Sequence, residues 1–294
     1  MYYNEKTIIY LNGSFVKAAE ANPDMYSQTL HYGYGAFEGI RAYKTDKGIK
    51  IFKEKEHYIR LKRSCELINI PFNYNVEELI RQTYLVLEKN NLTNAYIRPL
   101  VYCSPNMTLS KPNAVSMMIS AWEWGAYLGD KKQNLMISSF CRPHPRSLKV
   151  EAKACGHYVN SILATTEAKT AGYDEALLLD HNGFLAEGPG ANLFFEKNGK
   201  LLTPQLGNIL PGITRATVIE IAAELGIQVT EGLFKPEELL AADGAFYCGT
   251  AAEIAPIGSI NKQVFKKEWK DSLGQQIQEA YQCSVLEKQY ALSK

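Results

Sequence analysis

The sequence predicts an α+β protein in two domains, on three observations. Hydrophobic patterns in the first half run strand, strand, helix, helix, strand, strand. A break rich in glycine and charge, Trp124-Gly125-Ala126-Tyr127-Leu128-Gly129-Asp130-Lys131-Lys132, interrupts the apolar pattern at mid-chain. The second half then resumes with strands and helices interleaved, within a total of 294 residues that suffices for one or two cores.

Each element has a local reason. Residues 7–11 and 14–16 alternate around Asn12-Gly13, a hairpin turn. A helix is expected over 56–68, where Tyr58, Leu61, Cys65 and Ile68 recur at helical spacing. Asn75 with Glu78 three residues on reads as a capping box opening a second helix, which buries Leu79, Tyr84, Leu87 or their neighbours and ends near Asn90-Asn91. Strands are expected over 95–103 and 115–122. Beyond the break come a strand over 135–141 and a helix from Tyr158 stopped by Gly172. A strand over 175–180 turns at His181-Asn182-Gly183, and 193–196 pairs with 200–203 across Asn198-Gly199. The helix over 214–225 ends at Gly226, strands follow near 245–248 and 254–260, and a closing helix starts near Lys267. The expected organisation is an N-terminal domain of residues 1–123, a linker of 124–134 and a larger domain of 135–294.

Composition narrows the partners. With 32 Lys+Arg against 31 Asp+Glu the net charge is +1, so nothing draws nucleic acid or an acidic membrane by long-range attraction. The six cysteines fall singly, which argues against a disulfide framework and against a metal site. No apolar run approaches the length of a membrane span, and the first residues carry no apolar signal region, so a cytoplasmic location is expected. Tyrosine is abundant, at 18, and rigid rings with a polar tip suit a greasy pocket that must also place hydroxyls.

The chemistry concentrates in a few segments. Lys153 lies among small residues, Ala152-Lys153-Ala154-Cys155-Gly156, with room for a bulky ring beside an amine able to form a Schiff base. Glu187 opens the Gly/Pro-shaped bend Glu187-Gly188-Pro189-Gly190-Ala191-Asn192-Leu193-Phe194, where a carboxylate can hold a proton on a pyridine nitrogen. Leu210-Pro211-Gly212-Ile213-Thr214-Arg215 runs into a helix start, whose free amides suit an anion, although a helix cap without ligand explains it equally. Arg98, inside Ala95-Tyr96-Ile97-Arg98-Pro99-Leu100, is an arginine in an apolar strand and asks for an anionic partner. Neither a nucleotide phosphate loop nor a dinucleotide fingerprint is present.

Together with Tyr32-Gly33-Tyr34-Gly35-Ala36-Phe37-Glu38-Gly39-Ile40-Arg41 and Gly249-Thr250-Ala251-Ala252-Glu253, these segments resemble the class IV pyridoxal-phosphate (PLP) transaminases. Within that group they resemble the branched-chain amino acid aminotransferases. The resemblance runs from Asn12-Gly13 to about Ile260. It implies the D-amino acid aminotransferase-like fold, with a small α/β N-terminal domain and a larger mixed-sheet, barrel-like C-terminal one. It also implies PLP as cofactor and transamination of leucine, isoleucine and valine with 2-oxoglutarate, by a ping-pong mechanism. Lys153 would then bind the cofactor aldehyde and act as general base, Tyr158 would hydrogen-bond the phenolic oxygen, and Glu187 would serve the ring nitrogen. Arg60, Ile213, Thr214 and Thr250 would hold the phosphate. The substrate pocket would comprise Tyr32 (from a neighbouring subunit), Phe37, Tyr96, Arg98, Trp124, Tyr127, Thr250 and Ala251, with Arg98 on the glutamate side-chain carboxylate. A homodimer or higher homo-oligomer is implied as well.

Two departures bear on side-chain preference. Ala191 stands where many bacterial members have a second glutamate, and the 104–113 loop is short and differs in sequence from the family's. A D-amino acid transaminase or an aminodeoxychorismate lyase would share Lys153 and Glu187. The Tyr96-x-Arg98 strand and Gly249-Thr250-Ala251-Ala252-Glu253 favour the branched-chain enzyme over these, and intact Lys153, Tyr158 and Glu187 argue against a non-catalytic PLP-binding protein.

Overall fold

A computed structural model describes residues 2–125 and 131–290. Contacts divide the chain into two compact units, Met1–Gly125 with Ala152–His157, and Ala126–Glu151 with Tyr158–Lys294. The lysine-bearing segment Ala152–His157 therefore packs with the first unit although it follows the mid-chain break.

In the first unit the order is β1 (Ile8–Leu11), β2 (Ser14–Lys17), α1 (Gln28–Tyr32), β3 (Gly35–Phe37), β4 (Ile40–Thr45), β5 (Gly48–Ile51), α2 (Glu54–Leu67), α3 (Val76–Lys89), β6 (Ala95–Cys103) and β7 (Val115–Trp122). The strands form a seven-stranded sheet in the order β2-β1-β7-β6-β4-β5, with β3 added on β6. Asn12 and Gly13 take φ of 48° and 90°, the left-handed pair a two-residue hairpin requires. Period-two alternation sends Ala95, Ile97, Val101 and Cys103 of β6 into the core. Met117, Ile119 and Ala121 of β7 join them there, while Tyr96, Arg98 and Trp122 fall on the other face of the strands. Tyr58, Leu61 and Cys65 of α2 meet that core at 0% exposure, beside Leu79, Val86 and Leu87 of α3. Each such side chain contributes about 1.5–3 kcal/mol by leaving water.

Several features differ from the sequence expectation. β3, β4 and β5 had no clear strand pattern, because Glu38, Gly39 and Arg41 interrupt the apolar run and all three are accommodated inside. The capping box is half made: Asn75 accepts the Glu78 amide at 3.0 Å, but the Glu78 carboxylate turns to Gln82 instead. The second half also holds a strand, β12 (Val229–Gly232), that its short and partly exposed sequence did not announce.

The second unit runs β8 (Gln133–Cys141), α4 (Tyr158–Thr170), β9 (Glu175–Leu179), β10 (Asn192–Lys197), β11 (Lys200–Pro204), α5 (Ile213–Glu224), β12 (Val229–Gly232), α6 (Pro236–Leu240), β13 (Gly244–Gly249), β14 (Glu253–Ile260), β15 (Gln263–Val264) and α7 (Leu273–Val285). Its eight-stranded sheet is ordered β12-β11-β10-β13-β14-β8-β9, with β15 on β14. Pairing is mixed, parallel at β11–β12, β14–β8 and β8–β9. Leu135, Leu177, Leu193, Phe195 and Tyr247 fill one core cluster at 0% exposure. The closing helix begins at Leu273 and not near Lys267. Lys267 is used otherwise: its ammonium pairs with the buried Glu196 carboxylate, whose second oxygen accepts the Leu273 amide at 2.8 Å. Ser272 caps the helix by accepting the Gln275 amide.

Candidate active site

In the first unit the backbone of Lys153 is pinned from three sides. Its amide donates to Ser64 Oγ at 2.9 Å, its carbonyl accepts the Phe37 amide at 3.1 Å, and Ala154 bridges Ala36 of β3. Gly156 donates to the Gly33 carbonyl at 2.9 Å. That crossing needs two glycines: a Cβ on Gly33, already at φ +65°, would lie 2.8 Å from Gly156 Cα. Ala152 and Ala154, which flank the lysine, are both buried. The Lys153 Nζ lies 5.1 Å from the centroid of the Phe37 ring. Cys155 nearby is not a competing nucleophile, since burial pushes its thiol up to about 11.

Arg98 projects from the far face of β6 into rings. Its guanidinium carbon lies 4.5 Å from the Phe37 centroid, 5.6 Å from Tyr96 and 5.9 Å from Trp122. Arg98 Nε and Trp122 Nε1 are both buried donors without an acceptor. Tyr96 meets Trp124 edge-on at 4.8 Å and Trp122 at 5.4 Å. Its hydroxyl lies over Gly39, where a Cβ would come within 1.9 Å of it. Arg41 of β4 holds the start of the mid-chain break, donating to the carbonyls of Trp124 at 3.1 Å and Gly125 at 2.7 Å. Tyr32 is largely exposed and donates to the Met107 carbonyl at 3.2 Å, which places it with the 104–113 loop of its own chain. Tyr127 lies outside the described residues.

Arg60 on α2 is half-buried against Glu38, with Nε 2.7 Å from Oε1 and Nη2 2.9 Å from Oε2. His57, one turn earlier on the helix, donates from Nδ1 to Glu38 Oε2 at 2.7 Å. Arg60 and His57 beside it hold the Glu38 carboxyl far below the usual carboxylate range, against the opposing effect of burial. Burial lowers the His57 imidazole below 6.5, with Arg60 and Lys153 adding to the effect and Glu38 opposing it.

In the second unit the bend carrying Glu187 is closed by its pairing with Asn192 and by the Gly188 amide donating to the Ala191 carbonyl at 2.8 Å. The Glu187 side chain is 6% exposed. It accepts the Leu210 amide at 3.1 and 3.2 Å and Asn192 Nδ2 at 3.1 Å. Arg142 Nε approaches to 3.0 Å as an ion pair, out of line for a hydrogen bond. Tyr158 is the first residue of α4, and Ser161 one turn on donates to the Pro189 carbonyl at 2.7 Å, tying that helix to the Glu187 bend. Ile213 and Thr214 open α5 behind Gly212, and no side chain caps the helix. Thr250 and Ala251 occupy the turn between β13 and β14.

Within each unit the structure brings the expected residues into groups: Lys153, Phe37, Tyr96, Arg98 and Trp124 in the first, and Glu187 with its supporting bend in the second. Sequence reading missed Glu38, His57, Trp122, Arg142 and Asn192. The available signals were a charge abutting an apolar strand, at Glu38 and Arg142, and the i, i+3 spacing of His57 and Arg60.

This fold, with an amine-bearing segment and a buried carboxylate on a Gly/Pro bend, defines a class. The chain belongs to the amino-transferase class IV family, whose model matches residues 35–260. It is 42% identical over 261 residues to the branched-chain-amino-acid aminotransferase of Salmonella typhimurium, covering 86% of this chain and 84% of that one. Its structure matches the branched-chain aminotransferase of Thermoproteus uzoniensis with norvaline at a TM-score of 0.93 and 40% identity, over 96% of both chains. It also matches the branched-chain amino acid aminotransferase of Thermobaculum terrenum in PLP form at a TM-score of 0.90 and 33% identity, over 97% of this chain and 95% of that one.

Proposed function

We propose that this protein is a branched-chain-amino-acid transaminase: it moves the amino group of L-leucine, L-isoleucine or L-valine to 2-oxoglutarate, giving the branched-chain 2-oxo acids and L-glutamate. Arg98 carries the reading. A cation whose buried Nε has no acceptor, set among Phe37, Tyr96 and Trp122, suits a pocket that must take an aliphatic side chain and, in turn, a side-chain carboxylate.

Pyridoxal 5′-phosphate fits the donor set. The chain offers a lysine amine on a segment held by backbone hydrogen bonds, a buried carboxylate and a helix start that no side chain caps. When bound, the cofactor supplies an aldehyde that takes up amino groups and a ring that absorbs the electron pair released at the substrate Cα. Lys153 Nζ would anchor the aldehyde and afterwards carry a proton to and from the substrate Cα. Glu187, its orientation fixed by Leu210 and Asn192, would hold a proton on the ring nitrogen. Tyr158 would donate to the phenolic oxygen. Arg60, Ile213, Thr214 and Thr250 would bind the phosphate. Phe37, Tyr96, Trp124 and Tyr127 would wall the side-chain pocket, with the Thr250 and Ala251 amides on the α-carboxylate.

The partner we propose is a second copy of the chain. Met25, Tyr26 and Leu30 are 68%, 64% and 56% exposed, and Leu109 is 91% exposed. These apolar residues are held in place by the Asn106 amide on the Tyr26 carbonyl and by Gln28 donating to Thr108 and Ser110. An exposed apolar surface of this kind supports pairing with that copy, which would let Tyr32 reach a neighbour's pocket. The domains we propose are 1–123 and 135–294 joined by 124–134, in a cytoplasmic enzyme. Among the described residues no helix is long and apolar enough to cross a membrane, and no cluster of metal-binding side chains is present.

The test is a donor panel on PLP-loaded protein. Glutamate should form from leucine, isoleucine and valine with 2-oxoglutarate, and D-alanine should stay inert. Turnover of D-alanine, or release of pyruvate from an aminated chorismate, would instead assign one of the related class IV activities.

A further inference from the structure

Glu38 is wholly buried, and its carboxylate takes four donors: Arg60 Nε at 2.7 Å on Oε1, and Arg60 Nη2 at 2.9 Å, His57 Nδ1 at 2.7 Å and the Gly39 amide at 3.1 Å on Oε2. One donor falls on Oε1 and three on Oε2, so both oxygens of the carboxylate are engaged. Burying such a pair costs desolvation that its attraction barely offsets, and an apolar pair of equal volume would stabilise the fold as well or better. Its use is therefore better sought in geometry. Nε and Nη2 are two corners of a rigid planar fork, and engaging both fixes the rotation of the Arg60 head group. His57 completes the arrangement. Burial keeps it neutral, so it occupies a lone pair of Glu38 without cancelling the charge that Arg60 needs.

We infer that Glu38, braced by His57, is a positioning residue that holds the Arg60 guanidinium ready for the cofactor phosphate. The inference rests on reading Arg60 as a phosphate ligand, and its test separates the two. Full-length protein freed of cofactor is titrated with pyridoxal 5′-phosphate and with pyridoxal, which lacks the phosphate, following ring absorbance; the melting temperature without ligand reports the fold. Glu38→Gln should weaken the phosphate form about tenfold or more and pyridoxal less than about twofold, the loss expected when a charge-assisted contact is mis-set. Arg60→Ala should show the same selectivity, and Glu38→Gln should add nothing to it in the double variant. Equal weakening of both ligands by Glu38→Gln, or selectivity that persists in the Arg60→Ala background, overturns the inference. An unchanged ratio in Arg60→Ala overturns the phosphate reading and the inference with it. Should Glu38→Gln fail to fold, Glu38→Asp keeps the charge but is one methylene too short to hold both Arg60 and His57. It should show the same selective loss, and undiminished preference for the phosphate form would refute the idea.

Discussion

The Lys153 Nζ lies 5.1 Å from the centroid of the Phe37 ring, and the Phe37 amide in turn donates to the Lys153 carbonyl. Backbone and side chain of one residue thus fix both ends of the other. The contact between ammonium and ring face contributes about 0.5–1 kcal/mol at most sites, which is small for stability and useful for aim. An amine held this way is placed before any ligand arrives.

Replacing Lys153 with alanine should therefore abolish turnover and spare the fold. The segment is held by backbone hydrogen bonds and by Ala152 and Ala154, all of which survive the change. Leucine-dependent glutamate formation should fall by at least about 100-fold, the scale of a lost proton-transfer group, with the melting temperature unchanged. Substantial residual transamination would remove Lys153 from the role of base.

Arg98→Met should divide the two half-reactions. Methionine keeps apolar contact with Phe37 and Tyr96 but offers no charge to a side-chain carboxylate. KM for glutamate should rise about tenfold or more, as for a lost charge-assisted pair, while KM for leucine moves little. Trp122→Phe removes the second buried donor and should act in the same direction, more weakly. Equal losses with both amino donors would mean that the cation serves only the packing of its rings.

Legibility tracked how local the determining physics was. The Asn12-Gly13 hairpin, the Tyr58/Leu61/Cys65 stripe and the two long strands follow from turn chemistry and periodicity within a short window, and they stand as read. Lys153 and Glu187 were visible because small or bend-forming neighbours surround them. β3–β5 escaped because Glu38 and Arg41 are charged, and their burial makes sense only once His57 and Arg60 arrive from α2 and the Trp124 and Gly125 carbonyls from beyond β7. Pattern reading treats a charge in a strand as a vote against burial. Here partners distant along the chain reverse that vote.

Asn192 supports Glu187 from within β10, and also donates to the Leu210 carbonyl at 3.0 Å. Asn192→Leu should lower kcat about tenfold by releasing the acid from its set orientation, with KM for leucine nearly constant. It should cost about 1–3 kcal/mol in urea unfolding, because buried acceptors lose their donor. An unchanged kcat with the stability loss present would confine Asn192 to structure.

The Glu38 cluster also predicts how acid unfolds the protein. His57 is depressed below 6.5 in the fold, with Glu38, Arg60 and Lys153 as the charged groups around it. In the unfolded chain the imidazole takes up a proton below 6.5 that the fold resists, so the unfolded state binds more protons there and stability falls as pH falls. Glu38 is depressed too, so its share persists above 4.5 and is lost only as pH drops further. The two groups slope the same way and act in successive windows. Melting temperatures measured from about pH 8 to about pH 5 should decline for the native protein, beginning near the ordinary imidazole range. His57→Gln, which keeps a donor to Glu38 but cannot be protonated, should flatten that upper part and leave the steeper fall below 4.5 in place. Parallel curves for the two proteins through the upper window would show that His57 carries its charge inside the fold, contrary to its burial beside Arg60.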